Sequence, residues 1–168
     1  MSEEINKNYL KEKQYKSTKY LEARIKIHTF TENTQSFHQW LFDQYDLSNF
    51  KSQKVKVLDV ACGTGVFWKQ NYEKIKDFDI DLTMTDFSDS MLEKSKVSLQ
   101  DYSFNIKYEI ADIEKLDVYF GNFDLVFCHN AVYHAENKDL ALSNLSKCLN
   151  EKKDSFVSIT TNSEKHML

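Results

Sequence analysis

The sequence predicts an α/β fold: a doubly wound, mostly parallel β-sheet with helices on both faces. Three observations carry this. From residue 55 onward, short apolar runs alternate with segments of helical periodicity. Runs such as "DLVFC", Asp124 to Cys128, are almost wholly apolar, as strands buried on both faces are. Two of the chain's three glycines, Gly63 and Gly65, directly follow the first such run, where a doubly wound sheet turns from strand into helix.

Ahead of the sheet, residues 16–29 place Tyr20, Leu21, Ile25 and His28 at helical spacing. Residues 34–46 put Phe37, Trp40, Leu41 and Tyr45 on one helical face. The stripe of Phe37, Trp40 and Tyr45 reads as core, and so does Trp68. Ser48–Gln53 is a polar connector. The alternation then runs strand Val55–Val60, helix Gly65–Ile75, strand Ile80–Asp86 and helix Ser88–Leu99, the last opened by Ser88 as a cap. Strands Phe104–Ile110 and Phe123–Cys128 follow. Helix Asn137–Leu149 is expected to turn Leu140, Leu142, Leu145 and Leu149 inward, and Ser155–Thr161 is the last strand. The organisation is an N-terminal helical cap over 1–50 and a sheet domain over 51–168.

A chain of 168 residues with 41% hydrophobic and 14% aromatic residues can bury a real core. A net charge of -4 and a pI near 5.7 argue against a nucleic-acid partner. The basic residues of the first 28 positions have mixed spacing and read as a solvated face. The three cysteines, Cys62, Cys128 and Cys148, form no CxxC pair, so a disulfide framework or cysteine metal site is not expected. The N-terminus shows no apolar signal segment and no window suits a membrane span. These features predict a reduced, cytoplasmic protein with neither a membrane nor a nucleic-acid partner.

Glycine lets backbone approach a ligand closely and adopts positive φ without strain. A helix N-terminus beyond such a turn offers unpaired N–H groups. Gly63 and Gly65 therefore stand where a nucleotide-like cofactor would lie. A dinucleotide fingerprint GxGxxG would need a third glycine where Trp68 stands, and no P-loop pattern is present. The stretch "LDVACGTG" instead resembles the first motif of the class I S-adenosylmethionine-dependent methyltransferases, with Ala61 in place of that motif's first glycine. "TMTDFSDSML", "IADIEKL" and "FDLVFCHNAVYHAENKDLALSNLSKCL" resemble the segments that follow in that family. "LEARIKIH", "HQWLFDQY" and "TTNSEKHM" resemble the cap and the later segment of a bacterial, small-molecule subgroup, so the likeness runs from about Tyr15 to Met167.

The resemblance implies a Rossmann-like sheet of order 3-2-1-4-5. It lacks the last two of the family's seven strands, because the chain ends just after the fifth. It also implies S-adenosyl-L-methionine as cofactor. Asp59 lies near the methionine ammonium, and Ala61, Cys62, Gly63, Thr64 and Gly65 form the loop. Asp86 accepts hydrogen bonds from the ribose, Phe87 lies against the adenine, Met91 is a further cofactor-binding residue, and Asp112 and Ile113 meet the adenine edge. Asn130, with Tyr133, closes the floor. Simpler roles stay open: Asp59 or Asp86 as turn or helix caps, Cys62 and Cys128 as packing, His129 and His134 as packed histidines or proton carriers. Arg24 and His28 are helical neighbours with a role at the mouth of the site left open.

The expected reaction is in-line transfer of methyl to a small-molecule acceptor, with no catalytic acid or base identified and no metal. The alternative is a truncated remnant that binds cofactor or a partner without turnover. The fifth strand, left as an open edge, is a route to self-association.

Overall fold

The computed structural model describes residues 34–161. The first expected helix, with Arg24 and His28, and the final "SEKHM" lie outside the described residues. Helix α1 (Phe37–Phe42) leads into β1 (Val55–Val60), α2 (Val66–Ile75), β2 (Ile80–Asp86), α3 (Asp89–Leu99) and β3 (Asn105–Ile110). β4 (Leu125–His129), α4 (Lys138–Lys147) and β5 (Phe156–Thr160) complete the order. The five strands form one parallel sheet, β3-β2-β1-β4-β5. Every pairing is parallel, so all five carboxyl ends share one edge, and the strand order reverses between β1 and β4, which places the switch point beside β1. This is the Rossmann-like, doubly wound architecture the sequence predicts.

Strand alternation sorts the core into two layers. Val55 and Val57 of β1 point with Leu82, Met84, Leu125 and Phe127 toward α1 and α2, which supply Leu41, Phe67, Trp68 and Ile75. Leu58 and Val60 point the other way, with Val126 and Cys128, toward Leu145 and Cys148. Phe127 is the hub of the first layer, its ring within 5.4–6.1 Å of Tyr45, Phe67, Trp68 and Phe156. Truncating it to alanine is expected to cost ~3–5 kcal/mol.

The helices depart from the sequence reading in detail. α1 is only six residues long, opened by a capping box in which Ser36 Oγ accepts from Gln39 N and Gln39 Oε1 accepts from Ser36 N. Leu41 is buried, but Phe37 and Trp40 are 46% and 50% exposed and are not core. Tyr45 falls beyond the helix and packs its ring on Phe127 and Phe156 instead.

In α4 the inward face is Ala141, Asn144, Leu145 and, just past its end, Cys148, while Leu140 and Leu142 are 41% and 42% exposed. A helix turns ~100° per residue, so positions on either side of Ala141 flank the buried stripe. Leu145 and Leu149 do pack on the second layer. β4 begins at Leu125, two residues later than expected. Phe123 makes an isolated bridge to Leu149, and Asp124 is occupied in bonding Lys56 N, Asn150 and Lys152.

Candidate functional site

Asp59 is the penultimate residue of β1. Alternation aims it, like Val55 and Val57, at the α2 side, where Trp68 Nε1 donates to Asp59 Oδ2 at 2.7 Å. Asp59 is buried, and burial pushes its carboxyl up to about 7, with Asp86 adding to the rise and the Trp68 bond opposing it. Asp86 ends β2. Its Oδ2 accepts from Gly63 N at 3.0 Å and its Oδ1 from Ser88 N at 2.9 Å. Burial pushes this carboxyl up to about 6, against those backbone bonds. Ser88 is the N-cap residue of α3, but its side chain makes no capping bond and meets Ser90 Oγ instead; Asp86 takes the Ser88 N–H. Asp86 thus turns the chain into α3, the capping role left open by the sequence, and also bonds the glycine loop.

The loop itself is tight. Cys62 N donates to Thr85 O, and Gly65 N to Cys62 O, closing a turn before α2. Ala61, Gly63 and Gly65 all have positive φ, 57°, 57° and 73°. Alanine therefore sits in a conformation that suits glycine, at a strain of ~1 kcal/mol. The two glycines are needed for different reasons. A Cβ on Gly63 would meet nothing within 4 Å, so this residue leaves open space in front of the loop. A Cβ on Gly65 would lie 2.6 Å from Ser95 Oγ and 3.0 Å from Leu99 Cδ1, so Gly65 lets α3 pack against the loop.

Beside the loop is a shallow, open cleft lined by Val60, Ala61, Phe87, Ala111, Asp112, Ile113 and Ala131. Ala61, Phe87, Asp112 and Ile113 therefore meet in one place. Asp112 Oδ1 accepts from Glu114 N at 3.0 Å, fixing the turn after β3. The sequence reading missed Val60, Ala111 and Ala131, whose signal is only that each is apolar and next to a chosen residue. Met91 is buried in the first turn of α3 and does not line this cleft. Asn130 follows β4 with φ 54°, its N–H donating to Thr160 O at 2.8 Å.

The cysteines are unpaired, and Cys128 and Cys148 are fully buried. Burial, Asp59 and Asp86 raise the Cys62 thiol well above its ordinary value, so it is a poor nucleophile. His129 is pushed down to about 4, chiefly by burial and then by His38. Its Nε2 lies 3.2 Å from Tyr45 Oη and 3.3 Å from Ser158 Oγ. That is a packed, neutral histidine. Among the described residues no helix is long and apolar enough to cross a membrane.

Known proteins can be compared with this geometry. The family described as "Methyltransferase domain" matches residues 57–152. An uncharacterised protein of Rickettsia prowazekii is 28% identical over 140 residues, 79% of this chain and 54% of that protein. The ubiquinone/menaquinone biosynthesis C-methyltransferase UbiE of Laribacter hongkongensis is 34% identical over 98 residues, 56% of this chain and 38% of that enzyme. The chain thus spans about half or less of the length of these relatives. Haemonchus contortus phosphoethanolamine N-methyltransferase 2, solved in complex with S-adenosyl-L-methionine, shares the fold. Its TM-score is 0.65 at 22% identity, over 95% of this chain and 37% of that one.

Proposed function

The chain belongs to the methyltransferase domain family, and on that premise we propose that it holds S-adenosyl-L-methionine at this edge of the sheet and transfers methyl to a small-molecule acceptor. The observation that carries the reading is the Asp86 clasp. One carboxylate joins the glycine loop through Gly63 N to the start of α3 through Ser88 N, beside a cleft of mostly apolar lining.

The residues fit that ligand. A carboxylate oxygen has two lone pairs, so Asp86 keeps acceptor capacity for a ribose hydroxyl beyond its backbone bonds. Gly63 leaves the space in front of the loop open. Phe87, Ala61, Ala111 and Ile113 offer apolar surface to a purine ring, and Asp112 with the Ile113 N–H offers an acceptor and a donor to its edge. Asp59 and Asp86 are both buried, with no Lys or Arg in a salt bridge to either among the described residues. Buried charge without a partner is costly, and a ligand bearing positive charge would relieve it.

When bound, the cofactor supplies a methyl group on a sulfonium, an electrophile that needs no further activation. The chain's contribution is to hold nucleophile and methyl in line and to exclude water, which can supply most of the acceleration of such a displacement. No general acid or base is assigned. Residues 1–50 are proposed as the cap over this site and 51–168 as the binding domain. The outer edge of β5, where Ile159 is 37% exposed, is proposed as a route to self-association.

The test is calorimetric titration with S-adenosylmethionine of the chain and of Asp86→Ala. The reading requires binding by the first and a marked loss in the second; equal affinity removes Asp86 from the site. A second reading, cofactor binding without turnover, is motivated by the share of its relatives that the chain spans. Transfer of labelled methyl to any acceptor would exclude it.

A further inference from the structure

Trp68 and Asp59 are nine residues apart, across the glycine turn, and their hydrogen bond at 2.7 Å is wholly buried. The indole is fixed from several sides. It is 1% exposed, with ring centroids of Phe104 at 6.1 Å, Phe127 at 5.8 Å and Phe67 at 5.3 Å. It cannot swing without opening the first core layer. The donor therefore has one direction, and it holds one oxygen of one carboxylate.

That bond does not account for the carboxylate. A single neutral N–H offsets only part of the penalty for an ionised group in the interior. Among the described residues the titratable groups that act on Asp59 from neighbouring elements are Asp86, Cys62, Cys128 and Tyr45, and none of these supplies positive charge. An asparagine would satisfy the indole equally well at lower cost. A carboxyl group held in a fixed orientation at the carboxyl end of β1, beside the switch point, is placed to take on its charge when a cationic group arrives.

We propose that Trp68 is a positioning residue: its indole N–H locks Asp59 so that the remaining carboxylate lone pairs receive the ammonium group of the cofactor's amino-acid moiety. This rests on the cofactor reading above and adds to it a residue that never touches the ligand. It also makes a sharp distinction between ligands. The Trp68–Asp59 pair should matter only to molecules carrying the amino acid, and the adenosine half of the site should not sense it.

The experiment titrates the full chain, Trp68→Phe and Asp59→Asn by calorimetry with three probes. S-adenosylmethionine and S-adenosylhomocysteine carry the ammonium; 5′-methylthioadenosine has the nucleoside and thioether but no amino acid. A lost hydrogen bond to a charged group corresponds to roughly a 10- to 100-fold change in affinity. The proposal expects a weakening of about 10-fold or more for the first two probes in both variants. 5′-Methylthioadenosine should bind each variant as it binds the parent chain. Trp68→Phe keeps an aromatic ring in place, and Asp59→Asn keeps the indole's acceptor, so a folding defect in one leaves the other informative. Equal weakening of all three probes in Trp68→Phe means a merely structural indole and overturns the proposal. Unchanged affinity of Asp59→Asn for S-adenosylmethionine overturns it too. A folded parent chain that binds none of the three probes overturns the cofactor reading itself, and this inference with it.

Discussion

Gly63 N donates to Asp86 Oδ2 at 3.0 Å, 23 residues apart in sequence. This bond ties the turn after β1 to the end of β2 and places a carboxylate behind Gly63, which has open space before it where Gly65 does not. Asp86→Asn keeps the shape but halves the acceptor capacity and removes the charge. The expected result is ~10- to 100-fold weaker binding of S-adenosylmethionine, the loss typical of hydrogen bonds to a charged group. Calorimetry checks it, with circular dichroism confirming that the fold is retained.

The buried acids should set the pH dependence of the cofactor-free chain. Asp59 and Asp86 are raised to about 7 and about 6 in the fold, against ~3.9 for an unperturbed aspartate. Between these values the folded chain binds protons that the unfolded chain does not. Stability contributed by these groups is therefore full at the acid side of the window and falls as pH rises toward 7. Asp59→Asn removes its share of that fall. Urea denaturation at pH 8 should find the variant ~1–3 kcal/mol more stable than the parent, although it binds the cofactor less well. A variant that is less stable at pH 8 contradicts this account.

Asp124 has the opposite sign. Burial alone would raise it, but bonds from Lys152, Lys56 N and Asn150 hold it below the usual carboxylate value. Its contribution is present above the unfolded value and is lost as pH falls through the folded one, below ~4. Asp124→Ala leaves the Lys56 N–H without its acceptor at the entry to β1 and β4 and releases the Lys152 ammonium to solvent. A loss of ~2–3 kcal/mol in a urea melt at pH 7 is expected, and the loss should shrink at pH 3.

The loop makes three separable predictions. Gly63→Ala bears only the strain of positive φ, ~1 kcal/mol. Gly65→Ala bears that strain and a collision with Ser95 and Leu99, for a total of ~3 kcal/mol or more. Ala61→Gly relieves strain and should stabilise by ~0.5 kcal/mol, the gain being reduced by the freer unfolded chain. Thermal denaturation of the three variants checks the ranking. Equal losses at Gly63 and Gly65 would contradict the packing role given to Gly65.

Much of this fold was legible in the sequence because β1 and β4 are largely buried on both faces and read as mostly apolar runs. The acids at the ends of β1 and β2 and the paired glycines were legible because each is fixed by its position along or just after one strand. What was not legible is long-range. Nothing local distinguishes Gly63, which faces open space, from Gly65, which faces α3. Leu140 and Leu142 misled because leucine content outweighed the 3.6-residue period that selects Ala141, Asn144 and Leu145. Phe37 and Trp40 misled similarly, since α1 is too short to turn the whole aromatic stripe inward. The Trp68–Asp59 bond had a partial signal: alternation aims Asp59 at the face that the following helix must cover.

The most direct test of the central claim is calorimetric titration of the purified 168-residue chain with S-adenosylmethionine and S-adenosylhomocysteine. The account predicts saturable binding of both with one site per chain. A chain shown to be folded by circular dichroism and cooperative melting that binds neither would contradict it.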